Sequence, residues 1–148
     1  MNLFLLNDSH AWESYTYTSL SELAHEFKKR KIDVGANCTI GNECTIGNGC
    51  TFGSYAKIGA NCTFGECCSI GYRAVVENNA NIGKFSVLGA ESLVGGSSNI
   101  GAYCIVKMGA TVAPLNVVEE FESYTNAEAV PYRHTDFQKL LHDISKLY

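Results

Sequence analysis

Seven cysteines are the residues of this chain whose chemistry first draws notice. Thiolates hold zinc and iron–sulfur centres, and a high, odd count in a small secreted protein would suggest a disulfide framework. Six of the seven share one spacing. Cys38, Cys44, Cys50, Cys62, Cys68 and Cys104 fall on a six-residue step whose other places hold mostly Ala or Ser. The spacing belongs to a repeat, so these side chains read as small buried packing residues and not as a metal site. Reduced cysteines fit a cytoplasmic location. Cys67 lies off the step and is the one candidate reactive thiol. A second concentration is Tyr55, Arg73 and Glu91, spaced by eighteen residues. Phenol, guanidinium and carboxylate together suit a small polar substrate. The plainer reading is an exposed Arg73–Glu91 ion pair worth about 0–1 kcal/mol.

The elements that position these residues follow from the repeat. From Val34 to Val118, every sixth residue is aliphatic or Phe, fifteen in all. Gly follows in eleven of the fifteen, with Glu77, Lys107, Ala113 and Glu119 as the exceptions. Four residues after each aliphatic stands a small residue, except at Asn116 and Glu122. Side chains alternate along a strand, so a small residue and the aliphatic two places on share one face, the core. Gly then opens a two-residue corner, where positive φ is expected to cost it little. Each hexapeptide is one short strand and one bend. Three make a triangular coil of eighteen residues, and fifteen give five coils, a prism roughly 24 Å tall at the ordinary strand spacing. A helix would need a 3.6-residue period.

Residues 34–123 therefore form the solenoid, 1–33 an N-terminal capping segment and 124–148 a C-terminal tail. Open solenoid ends need caps. Ser19 and Glu22 form a capping box before a helix over about 20–31 with an apolar stripe of Leu20, Leu23, Ala24 and Phe27. The basic run Lys28-Lys29-Arg30-Lys31 suits that helix's C-terminus. Thr135 can cap a second helix to about Lys146, with Phe137, Leu140, Leu141, Ile144 and Leu147 on one side. Outward residues fall in three columns. The first holds Tyr55, Lys57, Arg73, Val75, Glu91 and Leu93, and the second is rich in Asn and Thr. The third holds Cys67, Phe85, Val87, Tyr103, Ile105 and Phe121. So apolar an outer face needs cover, from a second subunit or from the chain's own C-terminal helix.

The [Ile/Val]-Gly-x-x-[small]-x pattern over 34 to about 123 resembles the bacterial hexapeptide-repeat acyltransferases. That resemblance implies an all-β solenoid, the left-handed parallel β-helix, assembled as a homotrimer. It also implies acetyl transfer from acetyl-CoA to a hydroxyl or amine of a small acceptor such as a sugar. The family's usual general base is a histidine. Here His10, His25, His134 and His142 all lie outside 34–123, and no loop interrupts the repeats. The catalytic candidates are His134, just past the last coil, and Glu91, with Glu77 a further carboxylate. Orientation of amine and thioester without a protein base is another route. Lys107 and Arg133 are candidates beside the phosphates of coenzyme A, and Tyr55, Arg73 and Glu91 for the acceptor. No metal is expected, and the three-histidine zinc site of the γ-type carbonic anhydrases is excluded. The alternative is a non-catalytic trimeric β-helix that binds a small ligand at subunit junctions or scaffolds a partner.

A formal net charge of −4 argues against nucleic acid as a main partner. The run Leu3-Phe4-Leu5-Leu6 is too short for a signal peptide, and nothing approaches the roughly 18 apolar residues of a membrane span.

Overall fold

The computed structural model describes residues 1–124 and 129–131. Two-residue strands recur at six-residue steps, from β3 (Asp33–Val34), β4 (Thr39–Ile40) and β5 (Cys44–Ile46) to Val117–Val118. They stack in parallel at a register of eighteen residues, as in Val75 opposite Leu93 and Asn81 opposite Asn99. Three sheets result, the walls of a parallel β-solenoid of about five turns. Thr39 N–H donates to the Ala56 carbonyl of the following coil at 3.0 Å, and Gly41 N–H to Ile58 at 2.9 Å. The residue before each inward aliphatic and the residue after it thus donate toward the later coil.

The repeat's aliphatic and small residues share the interior. Ile46, Phe52, Phe64, Ile70 and Ile82 are fully buried, and Phe52 meets Phe64 edge-on at 5.2 Å between ring centroids. The cysteines do more than fill space. Cys44 Sγ donates to the Gly59 carbonyl and Cys50 Sγ to Gly65, each at 3.1 Å; Cys68 does so to Gly83 at 3.0 Å. Ser86 and Ser98 make the same bond to Gly101 and Ala113. The inward position favours a small donor because a corner carbonyl of the next coil faces it.

Two sequence expectations need correction. The glycine that follows each aliphatic does not supply positive φ. The residue two places later does so, at every corner from Asn37 (φ 60°) to Phe121 (φ 62°). The glycine is needed for close stacking. A Cβ on Gly83 would lie 2.4 Å from Ala102 N, and one on Gly35 2.5 Å from Ser54 N. For Lys107, Ala113 and Glu119 the residues nineteen places on lie outside those described. Glu77 is admitted because a bare Gly96 stands over it and donates its N–H to Glu77 Oε1 at 3.1 Å.

The second correction concerns the first end. The N-terminal segment is more than a helix. β1 (Asn2–Leu6) extends the second sheet below β5, Leu3 opposite Cys44, and turns back antiparallel as β2 (Trp12–Thr16). Leu3 and Leu5 alternate inward and are fully buried. The Ser19/Glu22 capping box is present, before a 3-10 turn (Leu20–Leu23) that runs into α1 (Ala24–Lys29). α1 ends before Lys31, where φ of 57° turns the chain into β3. Leu23 and Phe27 close the core, each burial worth about 1.5–3 kcal/mol. Arg30 ties α1 to the hairpin, donating to the Leu6 carbonyl at 2.6 Å and Tyr15 Oη at 2.8 Å.

At the other end, Asn116 and Glu122 break the small-residue rule for a visible reason. Asn116 Oδ1 accepts from Val117 N–H at 2.9 Å, and Glu122 Oε1 from Glu119 N–H at 3.2 Å. Among the described residues these N–H groups meet no later coil. The helix expected over 135–146 lies outside the described residues.

Candidate functional site

The corner between the third and first sheets carries the densest group of polar and aromatic side chains. Four successive corners stack there, at 53–56, 71–74, 89–92 and 107–110. Arg73 N–H donates to the Ser54 carbonyl, Glu91 N–H to Tyr72 and Gly109 N–H to Ala90, at 2.7–3.0 Å. This ladder brings Tyr55, Arg73, Glu91 and Lys107 onto one edge of the prism. Tyr55, Arg73 and Glu91 all hold φ near +60°, a conformation costing a non-glycine residue about 1–2 kcal/mol. Asn or Gly, which sit at the same position elsewhere, would bear it more easily.

The expected Arg73–Glu91 ion pair does not form. Arg73 lies instead over two rings, 5.2 Å from the centroid of Tyr72 and 5.6 Å from that of Tyr55. The rings meet edge-on at 5.9 Å. Each such exposed cation–π contact is worth about 0.5–1 kcal/mol. The rings orient the guanidinium and leave its N–H fork for an anion, the bidentate geometry that suits carboxylate or phosphate. Glu91 follows one coil on, and half-buried Lys107 one coil beyond, beside exposed Met108. Tyr72 and Met108 escaped the sequence reading because it followed one outward residue per corner, and both stand one place before it. An aromatic next to Arg73 was the signal available.

At the far side of the first sheet, Lys57, Val75, Glu77 and Asn78 line a shallow hollow of about 300 Å³. Glu77 and Asn78 lock that corner. Asn78 Oδ1 accepts from Ala60 N–H at 2.8 Å while Glu77 holds Gly96. Glu77 thus has a structural duty. His10 and His25 are exposed, in the β1–β2 turn and on α1, away from this edge. His134 and Arg133 lie outside the described residues.

The exposed Cys67 is no activated nucleophile. Partial burial and the neighbouring Glu66 push its thiol above the ordinary value. Burial likewise pushes the Cys104 thiol up to about 11. Among the described residues no three His, Cys, Asp or Glu side chains gather to hold a metal ion, and no helix is long and apolar enough to cross a membrane.

This is the hexapeptide-repeat solenoid architecture seen in acetyltransferases. More narrowly, the chain belongs to the GMPPB C-terminal domain family, whose model matches residues 31–137. No curated protein sequence matches it. Among solved structures it is similar to PerB from Caulobacter crescentus, crystallised with CoA and GDP-perosamine. The identity is 20% and the TM-score 0.61, over 70% of this chain and 52% of that one. It is also similar to the hexapeptide-repeat acetyltransferase VCA0836 from Vibrio cholerae, at 16% identity and TM-score 0.54, over 78% and 81%. A third is serine acetyltransferase 1 from Entamoeba histolytica, in complex with L-cysteine, at 19% and 0.51, over 62% and 40%. The chain spans about half the length of PerB. At these identities the shared property is the fold.

Proposed function

We propose that this chain transfers an acetyl group from acetyl-CoA to the hydroxyl or amine of a small acceptor such as a sugar, working in the cytoplasm as a homotrimer with its sites where this edge meets a neighbouring subunit. The observation that carries this reading is the column of Tyr55, Arg73, Glu91 and Lys107 on one edge. The solved relatives support it, since PerB was crystallised with CoA and a nucleotide-linked sugar.

Acetyl-CoA supplies an acetyl thioester. In transfer the acceptor's nitrogen or oxygen bonds the acetyl carbon, the carbon–sulfur bond breaks, and the acceptor's proton must leave. Arg73, held by its two tyrosine rings, positions a phosphate or carboxylate. Lys107, two coils above Arg73, serves a second anionic group, a role Arg133 shares. Glu91 lies between them to take the proton, with His134 the other candidate. Orientation supplies most of the remaining barrier reduction. Seven free thiols suit a reducing compartment.

The second reading, a non-catalytic trimer binding a ligand at the same edge, is favoured by one fact. The described solenoid wall has no histidine and no inserted loop. Calorimetric titration with acetyl-CoA, followed by chromatographic assay of its consumption with amino-sugar acceptors, separates the two. Chromatography is required because the protein's own thiols would react with a thiol reagent. Binding with turnover, lost in Arg73→Leu, supports the transferase. Ligand binding without turnover supports the second reading. No heat with any acyl-CoA sinks the first.

A further inference from the structure

The solenoid's two ends are treated differently. At the late end the N–H groups of Val117 and Glu119 are satisfied by Asn116 and Glu122. The early end is covered only in part. Below the second sheet, β1 supplies another strand. Below β3 and β4 no strand follows. The carbonyls there stand eighteen residues before Cys50, Phe52, Ala56 and Ile58, all four of which accept an N–H from the earlier coil. In the first coil the equivalents are Ile32, Val34, Cys38 and Ile40. Only the Ile40 carbonyl is satisfied, by Tyr17 Oη–H at 2.7 Å. Among the described residues nothing donates to the other three, and Asn37 N–H has no acceptor, although its equivalent Tyr55 N–H donates to Ala36.

Beneath this edge lies a hollow of about 830 Å³, lined by Leu20, Phe27, Val34 and Cys38 and by the charged Lys28, Lys31 and Asp33. Val34 and Cys38 occupy core positions whose equivalents in later coils are buried, yet both are half-exposed. Among the described residues this edge therefore lacks backbone N–H donors and an apolar side chain over Val34 and Cys38, and its two lysines form no ion pair, Asp33 being the one carboxylate in the lining.

We propose that this edge binds an extended acidic–apolar peptide segment of a partner protein by strand addition. Its N–H groups donate to the Val34 and Cys38 carbonyls, one apolar side chain enters beside Phe27, and its carboxylates face Lys28 and Lys31. A fatty-acid-like anion would match the charge and the apolar floor but would leave the carbonyls without donors. A second copy stacked end to end would meet, on the second sheet, Val117 and Glu119 N–H groups already bonded to side chains. This inference does not rest on acetyl transfer.

The test is nuclear magnetic resonance of the full chain titrated with an N-acetylated, C-amidated seven-residue peptide alternating valine and glutamate. Saturable shifts centred on Ile32–Ile40 are expected. An analogue N-methylated at alternate nitrogens should bind at least about tenfold weaker, since it leaves carbonyls unpaired. Lys28→Glu with Lys31→Glu should weaken the parent peptide similarly and favour a lysine-for-glutamate peptide. The methylated-peptide arm needs no protein variant, so it stands if the variant misfolds. Equal affinity for parent and methylated peptides overturns the proposal. So does decanoate binding without peptide binding, or shifts of the same amides with protein concentration alone.

Discussion

At the residue scale, the inward small position separates donors with an acceptor from donors without one. Ser86 Oγ donates to the Gly101 carbonyl at 2.6 Å and accepts from Cys104 N–H at 3.1 Å. Ser92, equally buried, finds no partner. Ser86→Ala should therefore cost about 1–3 kcal/mol, because it strands two buried backbone groups. Ser92→Ala should be neutral or stabilising, because an unpaired buried hydroxyl is itself unfavourable. Urea midpoints at unchanged slope measure both. The glycines offer a second contrast. Gly83→Ala drives a Cβ into the next coil's backbone and should prevent stacking. Gly109→Asn, at φ of 72° with open space around it, should change stability by under about 1 kcal/mol, because Asn tolerates that region. Thermal melts of the two variants decide whether stacking or φ is the constraint. The presence of glycine was legible in the sequence, but its reason was not. Six-residue periodicity records which residues share a face, whereas the clash lies between residues eighteen or nineteen apart on different coils. Arg73's partners were missed for a different reason: pairing equivalent positions suggested Glu91, whereas the guanidinium lies over Tyr55 and its sequence neighbour Tyr72.

At the element scale, the ends carry what the repeat cannot. Solenoid strands were legible because each is dictated by its own six residues. β1 was not, since a single alternating Leu3–Leu5 strand outside the repeat looks like a short apolar run. Its partner β5 is some forty residues away. Asn116→Ala replaces the cap with the residue type the repeat prefers. Size alone would favour it, yet the loss of the bond to Val117 N–H should cost about 1 kcal/mol, by analogy with helix caps. Val117 amide exchange should quicken. The N-terminal cap has a pH dependence. Thr18 and Ser19 N–H groups donate to the Glu22 carboxylate and hold its pKa below the ordinary value. A depressed carboxylate contributes stability above its unfolded pKa of about 4.3 and loses it as pH falls through the lower folded value. Hydrogen exchange at Thr18 and Ser19 should accelerate below that pH, and Glu22→Gln should remove the pH step.

At the scale of the whole molecule, the question is which wall meets another subunit. Outward apolar residues suggested the third, but there Val87 and Ile105 are 3% and 0% exposed within the single chain, and only Phe85 at its corner is exposed among its large apolar side chains. The second is lined by Thr45, Thr63, Asn81 and Asn99 and is suited to water. The first keeps Val75 and Leu93 half-exposed between the exposed rings of Tyr55 and Tyr72 and the Glu77 corner, so it is the wall with apolar surface to lose on assembly. A trimer built on the first wall would also place each Arg73 column against a neighbour, as a shared site requires. Leu93→Lys puts a charge at the centre of that wall. Leu93 points outward, so the coil should still fold, with an unchanged circular dichroism spectrum. Sedimentation velocity should then find single chains where the proposed trimer predicts three for the parent. Thr63→Lys on the second wall should leave the trimer intact. Val87→Lys should lower the melting temperature whatever the assembly, because it buries a charge within one chain. A trimer that survives Leu93→Lys and falls apart with Thr63→Lys would assign the interface to the polar wall and detach the Arg73 edge from it.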